Sequence, residues 1–130
     1  MTKKNAITLL ELLMVIIVVG VLAAFALPKF ATTREHALGK EAMANLKLVA
    51  AAERIYRMET GVFLHDGNEG AINQNLRLSL PTNNPNWNYA VAGAAGDVFS
   101  ATATRNLAGS GCVYTITQEQ DEATGNASCN

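Results

Sequence analysis

Residues 6–27, AITLLELLMVIIVVGVLAAFAL, form an apolar stretch of 22 residues that contains one charged side chain, Glu11, and one further polar side chain, Thr8. A helix that rises about 1.5 Å per residue would make this stretch roughly 30 Å long, which is the thickness of a bilayer core. A lone carboxylate at that depth costs about 3 kcal/mol on insertion scales. We therefore predict that Glu11 has a function and meets a cation.

The residues before this stretch predict the orientation of the chain. Lys3 and Lys4 lie shortly before the apolar residues, separated from them by Asn5, as in a signal anchor. The excess of positive charge places this end in the cytoplasm and the remainder outside the membrane. The apolar run is too long for a cleaved secretory signal and continues into an amphipathic pattern, so we expect it to stay in the protein.

Length and composition limit the remaining classes. The chain has 130 residues and a net charge of -1, so about 100 residues remain for one small domain, and no basic run indicates a nucleic-acid partner. No nucleophile–base pair or phosphate loop is present, so we expect neither an enzyme nor a cofactor. His36 and His65 are interpreted as surface residues, and no metal site is expected. Calcium binding by Asp97, Asp121 and Glu122 is a minor alternative without a clear ligand spacing.

Two cysteines, Cys112 and Cys129, lie near the C-terminus. They fit one disulfide if this part of the chain is exported to an oxidising compartment, and two free thiols are the alternative. A disulfide would close a loop of 17 residues, worth about 3 kcal/mol in the loop-entropy model. The triplet Asn126-Ala127-Ser128 matches the short glycosylation sequon, which is common by chance.

Residues 7–59 are predicted to form one long helix with two different halves. The first half is apolar all round, and Gly20 and Pro28 are expected to loosen or kink it. The second half is amphipathic, because its apolar residues recur at spacings of 4, 7 and 7: Leu38, Ala42, Val49 and Tyr56. A basic stripe, defined as Lys40, Lys47 and Arg54, is either a solvated face or a contact with acidic groups of a neighbouring subunit.

The C-terminal half of the chain predicts a sheet. Residues 62–86 are interpreted as a connector, and three runs with period-2 alternation follow at 87–92, 99–104 and 112–117. The intervening glycine-rich turns predict an antiparallel meander, whose apolar face needs the amphipathic half of the helix as its cover. The tail after Gln118 is expected to be irregular. The predicted fold class is α+β, with a long N-terminal helix packed against a small antiparallel sheet.

The segment Ile7-Thr8-Leu9-Leu10-Glu11-Leu12 resembles the N-terminal motif of type IV pilins and type II secretion pseudopilins. The positions of Gly20 and Pro28 are similar to the glycine and proline of that family, and the helix end at Thr60-Gly61 and the strand segments are weaker support. Two residues depart from the family pattern. Ala6 stands where the family favours glycine, and Ile7 stands where phenylalanine or methionine is usual.

The resemblance implies a filament subunit with the pilin fold. It implies a leader at residues 1–6, a transmembrane and filament-core helix at 7–29 and a periplasmic or extracellular head at 30–130. A prepilin peptidase would cleave between Ala6 and Ile7 and methylate the new amine of Ile7. Glu11 of one subunit would then pair with the Ile7 amine of the next. The implied partners are further copies of the chain in a helical filament, an assembly platform and an ATPase.

Several functions remain open at this point. The first is a type IV pilus subunit, held in the bacterial inner membrane before assembly and exposed on the cell surface afterwards. The second is a type II secretion pseudopilin, which would form a periplasmic pseudopilus. A monomeric membrane-anchored binding module is a third possibility, and it predicts no cleavage after Ala6. Electron conduction along aromatic side chains has little support from the few aromatic residues of the helix.

Overall fold

The computed structural model describes residues 8–93 and 98–129, without the side chains at 26–29, 31 and 66. Two compact units divide the chain, residues 1–37 and 38–130. The α-helix α1 spans Leu9–Thr60 and contributes to both units. The predicted helix at 7–59 is thus confirmed over its described length. Gly61, with a φ of 85°, follows the helix and its N–H donates to the carbonyl of Arg57, which is the usual glycine ending.

The unit at 38–130 contains a five-stranded antiparallel sheet in the order β1-β2-β3-β4-β5. Its strands are β1 (Asp66–Asn68), β2 (Trp87–Ala92), β3 (Ser100–Arg105), β4 (Val113–Thr117) and β5 (Thr124–Gly125). The three long strands are those that the alternation predicts. Their register pairs Tyr89 with Ala103 and Ala101 with Ile116. The α+β meander is therefore confirmed.

The two edge strands and a short helix were missed by the sequence patterns. Helix α2 (Glu69–Asn75) lies inside the predicted connector, and the Asn68 side chain caps it by accepting from the N–H of Ala71 at 3.2 Å. β1 and β5 are only 3 and 2 residues long, too short to show an alternating pattern. The connector and the tail are thus more ordered than predicted, because main-chain pairing at a sheet edge does not require apolar side chains.

One apolar core fills the space between the amphipathic half of α1 and the inner face of the sheet. The predicted helix face is confirmed, since Ala42 and Val49 are buried while Leu38 and Tyr56 pack at the margin of the core. The inward residues of the strands complete it: Trp87, Tyr89, Val91, Phe99, Ala101, Ala103 and Ile116. This core fixes which helix side chains face the sheet and which remain for other partners.

Candidate functional site

Thr8 begins α1 as a capping residue. Its hydroxyl oxygen accepts a hydrogen bond from the N–H of Glu11 at 3.2 Å, and its carbonyl accepts from the N–H of Leu12 at 3.2 Å. The spacing Thr-x-x-Glu is that of a capping box, a signal that the sequence carried and that the apolar pattern obscured. Glu11 therefore lies in the first turn of the helix, where the positive end of the helix dipole favours a carboxylate.

The apolar side chains that follow Glu11 are exposed in the single chain. From Leu9 to Phe25 the large apolar side chains are between 49% and 81% exposed, and they lie on every side of the helix. An apolar surface of this extent in water indicates a partner surface or an apolar solvent. Glu11 is exposed with them, so its carboxylate is available to a group outside this chain.

Within the described residues, no helix is both long enough and apolar enough to cross a membrane. The predicted transmembrane helix at 7–29 is described only in part, because residue 7 and the side chains at 26–29 lie outside the described residues. This limit affects three of the predicted site residues. Ala6 and Ile7, the predicted cleavage and methylation site, lie outside the described residues, and of Pro28 only the helical backbone is described.

The backbone of α1 is helical through Gly20 and Pro28. Apart from its own stretch of helix, a side chain added at Gly20 would meet no atom of the described residues within 4 Å, so no close packing among these residues requires a glycine at this position. The predicted loosening at these two residues therefore stays a prediction about the assembled state.

A C-terminal loop, residues 118–129, is fastened to the sheet by a disulfide between Cys112 and Cys129, whose Cα atoms are 4.6 Å apart. Asn126 fastens the same loop. Its side-chain oxygen accepts from the N–H of Val113 at 3.2 Å, and its side-chain nitrogen donates to the carbonyl of Gly111 at 2.8 Å. The predicted disulfide is present, and Asn126, the asparagine of the sequon, is a second attachment of this loop to the rest of the sheet.

Replacing Asn126 by alanine is expected to lower the free energy of unfolding by about 1–2 kcal/mol, because two hydrogen bonds to the main chain are lost. The measurement is urea unfolding of the full chain in detergent, followed by the fluorescence of Trp87, the single tryptophan. Ser128→Ala is the matched control, since it destroys the sequon and keeps both hydrogen bonds. Equal losses in the two variants would contradict the fastening role.

The basic stripe meets acidic residues of its own chain. Lys47 Nζ lies 2.8 Å from Glu122 Oε1, and Arg54 lies 3.6 Å from Asp121. The hydrogen bond from Lys47, followed by its charge, lowers the pKa of Glu122 below its usual value. Lys40 has no ion-pair partner in the described part of the chain. Two of the three cations of the stripe thus pair with the C-terminal loop while remaining about half exposed, and a contact with a neighbouring subunit stays a prediction.

These ion pairs also bear on the calcium alternative. Asp121 and Glu122 face cations, and among the described residues no group of three acidic, histidine or cysteine side chains could hold a metal ion. Asp97, the third candidate ligand, lies outside the described residues.

Glu53 is a functional candidate that the sequence did not reveal. It is 0% exposed on the buried face of α1, and its Oε2 accepts from the N–H of Leu64 at 2.9 Å, while Oε1 has no hydrogen-bond partner among the described residues. Burial raises the pKa of Glu53 to about 7, against the lowering effect of the hydrogen bond from Leu64. The carboxyl group joins α1 to the segment that leads into β1, so its protonation affects the stability of that junction.

The described residues thus define a small α+β head that continues from a long N-terminal helix with an uncovered apolar first half and a carboxylate in its first turn. The chain is similar in sequence to two curated proteins. The type IV major pilin protein PilA of Myxococcus xanthus is 30% identical over 95 residues, which cover 73% of this chain and 40% of the relative. The type II secretion system core protein G of Pseudomonas aeruginosa is 28% identical over 89 residues, which cover 66% of this chain and 60% of the relative.

These two relatives support the resemblance of this chain to type IV pilins and type II secretion pseudopilins. The aligned region spans only about half the length of these two relatives. No family model matches the chain, and no solved structure matches it.

Proposed function

We propose that this chain is a structural subunit of a type IV pilus filament and that it polymerises through its N-terminal helix. One observation carries the proposal: the apolar side chains between Leu9 and Phe25 surround the helix and are uncovered in the single chain. Further copies of the same helix, bundled at a filament axis, would cover them on all sides. The unit at 38–130 has its own core, to which the second half of α1 contributes, so the first half of the helix is not needed for that core.

Glu11 sets the register of that bundle in our proposal. An unpaired carboxylate in a low-dielectric filament core is penalised strongly, whereas a carboxylate beside a cation is stabilised. The amine of a mature chain that starts at Ile7 would supply the cation. Glu11 of one subunit then pairs with the amine of its neighbour. Any other axial position of the neighbouring helix would leave one of these charges unpaired and is therefore disfavoured. Pairing within one chain competes, and would hold the waiting monomer before assembly.

Processing at the N-terminus creates that amine. Cleavage between Ala6 and Ile7 by a prepilin peptidase, followed by methylation of Ile7, is what the motif around Glu11 supports. Before assembly the subunit would lie in the bacterial inner membrane as a single pass, with Lys3 and Lys4 in the cytoplasm. Exchange of lipid for helix contacts gains little free energy, so extraction into the filament would require an assembly platform and an ATPase. Loosening at Gly20 and Pro28 would let the helix adapt.

The second candidate is a type II secretion pseudopilin, which the similarity to core protein G supports. We favour the pilus because Cys112 and Cys129 close a C-terminal disulfide loop and because Asp121 and Glu122 pair with Lys47 and Arg54. In that arrangement each of the two acidic residues has a cationic partner within its own chain. A monomeric anchored module remains the weakest candidate, since it leaves both Glu11 and the apolar surface without a partner.

The test is the intact mass of the protein in material sheared from the cell surface. A species that starts at Ile7, carries one methyl group and has lost two hydrogens to the disulfide would support the pilus subunit. The same mature mass found only in membranes would support the pseudopilin. An uncut chain that starts at Met1 would contradict both filament functions and favour the anchored module.

Ala6→Gly is expected to be cleaved at least as fast as the native chain, because glycine removes the one methyl group that the peptidase must accommodate before the scissile bond. The measurement is the ratio of precursor to mature chain over time after induction. Ala6→Val, which adds bulk at the same position, is the control and is expected to accumulate as precursor. Slower cleavage of the glycine variant would place the processing site elsewhere.

A further inference from the structure

A cleft of about 510 Å³ lies where α1 ends, and no element of the filament proposal uses it. Its lining combines polar and apolar side chains from the helix, the following segment and the end of β4: Arg54, Arg57, Met58, Phe63 and Gln118. All of these residues belong to the compact unit at 38–130.

Arg57 provides the first free donor group. Its guanidinium carbon lies 4.6 Å from the centroid of the Phe63 ring, and that ring is only 3% exposed, so the two groups are stacked at the wall of the cleft. The guanidinium forms no ion pair or side-chain hydrogen bond with the described residues. Stacking orders the group and leaves its in-plane N–H donors available to a ligand.

Gln118 provides a second donor. Its side-chain oxygen accepts from the N–H of Phe99 at 3.1 Å, which fixes the orientation of the amide. Since the oxygen is occupied, the amide nitrogen is the end that remains for another partner, and it has none among the described residues. The cleft therefore offers a donor, rather than an acceptor, from this side.

Arg54 is held only loosely. Its guanidinium lies 3.6 Å from the carboxylate of Asp121, which is 97% exposed, and 3.5 Å from the carbonyl of Gln120. An exposed ion pair of this kind contributes little free energy. A ligand anion in the cleft can compete with Asp121 for Arg54, so Asp121 would act as a weak internal competitor.

We propose that this cleft binds a small carboxylate carried on a flat apolar group. The two arginines offer forked donors that match the two oxygens of a carboxylate, and the amide of Gln118 adds a further donor. The exposed side chain of Met58 offers the apolar surface against which the body of the ligand would lie, beside the Phe63 ring that Arg57 covers. This site is independent of Glu11 and of filament assembly.

The experiment uses the full chain in a nonionic detergent at constant ionic strength, with benzoate as the probe. Binding is followed by the NMR signals of the arginine Nε–H groups and of the Gln118 amide. We expect saturable shifts with a Kd on the order of 1 mM for a ligand of this size. Acetate, which lacks the apolar body, is expected to bind more weakly, and benzyl alcohol, which lacks the charge, is expected to give no saturation.

Three variants assign the binding to the cleft. Arg57→Gln should weaken benzoate binding about tenfold, because a charge-assisted hydrogen bond is lost. Asp121→Asn should strengthen binding about twofold, because the internal competitor is removed. Lys47→Gln removes a cation of the same basic stripe outside the cleft and should change the Kd by less than twofold.

Two outcomes would overturn the proposal. The first is an equal response to benzoate and benzyl alcohol, which would indicate unspecific partitioning into detergent or protein. The second is an equal loss of affinity in Arg57→Gln and Lys47→Gln, which would indicate general attraction by surface charge. The NMR spectrum of each variant shows whether it is folded, and Arg57→Lys, which keeps the charge and loses the fork, provides a second variant at the same position.

Discussion

Glu11→Ala is expected to reduce incorporation of the chain into filaments more than tenfold while leaving cleavage after Ala6 intact. The variant would bury the amine of Ile7 in the filament core without a counter-charge, and breaking one partner of a buried pair costs about 3–5 kcal/mol. The measurement is the amount of the protein in the sheared fraction relative to the membrane fraction, together with its intact mass in each.

Two further substitutions at the same position separate charge from shape. Glu11→Gln keeps the size of the side chain and removes the charge, so it should fail to assemble as the alanine variant does. Glu11→Asp keeps the charge on a shorter stem and should retain part of the assembly. Leu12→Ala is the matched control for loss of bulk beside Glu11, and it should incorporate at a level close to native. A native yield of filaments from Glu11→Ala would end the pairing mechanism.

The second large effect is a fall in stability with rising pH that Glu53 causes. Its pKa is about 7 in the folded chain and near 4.5 when unfolded, so the folded state binds the extra proton between these values. The contribution of Glu53 to the free energy of unfolding is therefore largest below about pH 4.5. It falls between about pH 5 and 7 and stays constant above about pH 7. A pKa shift of this size corresponds to a change of about 3 kcal/mol in the free energy of unfolding.

Urea unfolding of the full chain in detergent at pH 5, 6, 7 and 8, followed by Trp87 fluorescence, measures this effect. Glu53→Gln should unfold with a free energy that is nearly constant over the range and exceeds that of the native chain at pH 8. Glu119→Gln, an exposed carboxylate on the C-terminal loop, is the matched control and should keep the native slope. Equal slopes in the native chain and in Glu53→Gln would refute the assignment.

The buried pair of Glu53 and Leu64 also shows what local patterns miss. Glu53 lies in a helix rich in charged residues, and nothing adjacent in the sequence distinguishes it from Glu59, which pairs with Arg77 at 3.7 Å. Glu53 and Glu59 differ in the face of the helix on which they lie. Glu53 follows Leu46 and Val49 at positions that place it on the same buried face, and a search of that face for polar residues would have identified it.

The acidic residues of the C-terminal loop are a second example. The spacing of Lys47 and Arg54 predicted a basic stripe correctly, whereas the identity of its partners depended on where the disulfide and β5 carry residues 121 and 122. Contacts between residues separated by 67 and 75 positions, as in Arg54–Asp121 and Lys47–Glu122, have no signature in local composition. These two cations pair with acidic residues of their own chain, whereas the alternative contact with a neighbouring subunit stays a prediction.

The sequence by itself determined the long helix, the three central strands and the N-terminal motif around Glu11, because helical and strand periodicities and the run of apolar residues are local properties. Only the tertiary structure decided the burial of Glu53, the edge strands β1 and β5, the covering of the basic stripe and the cleft beside Arg57. These features arise when the sheet closes over one face of α1. That step brings together side chains that are distant in the sequence and assigns each to the core, to an ion pair or to solvent.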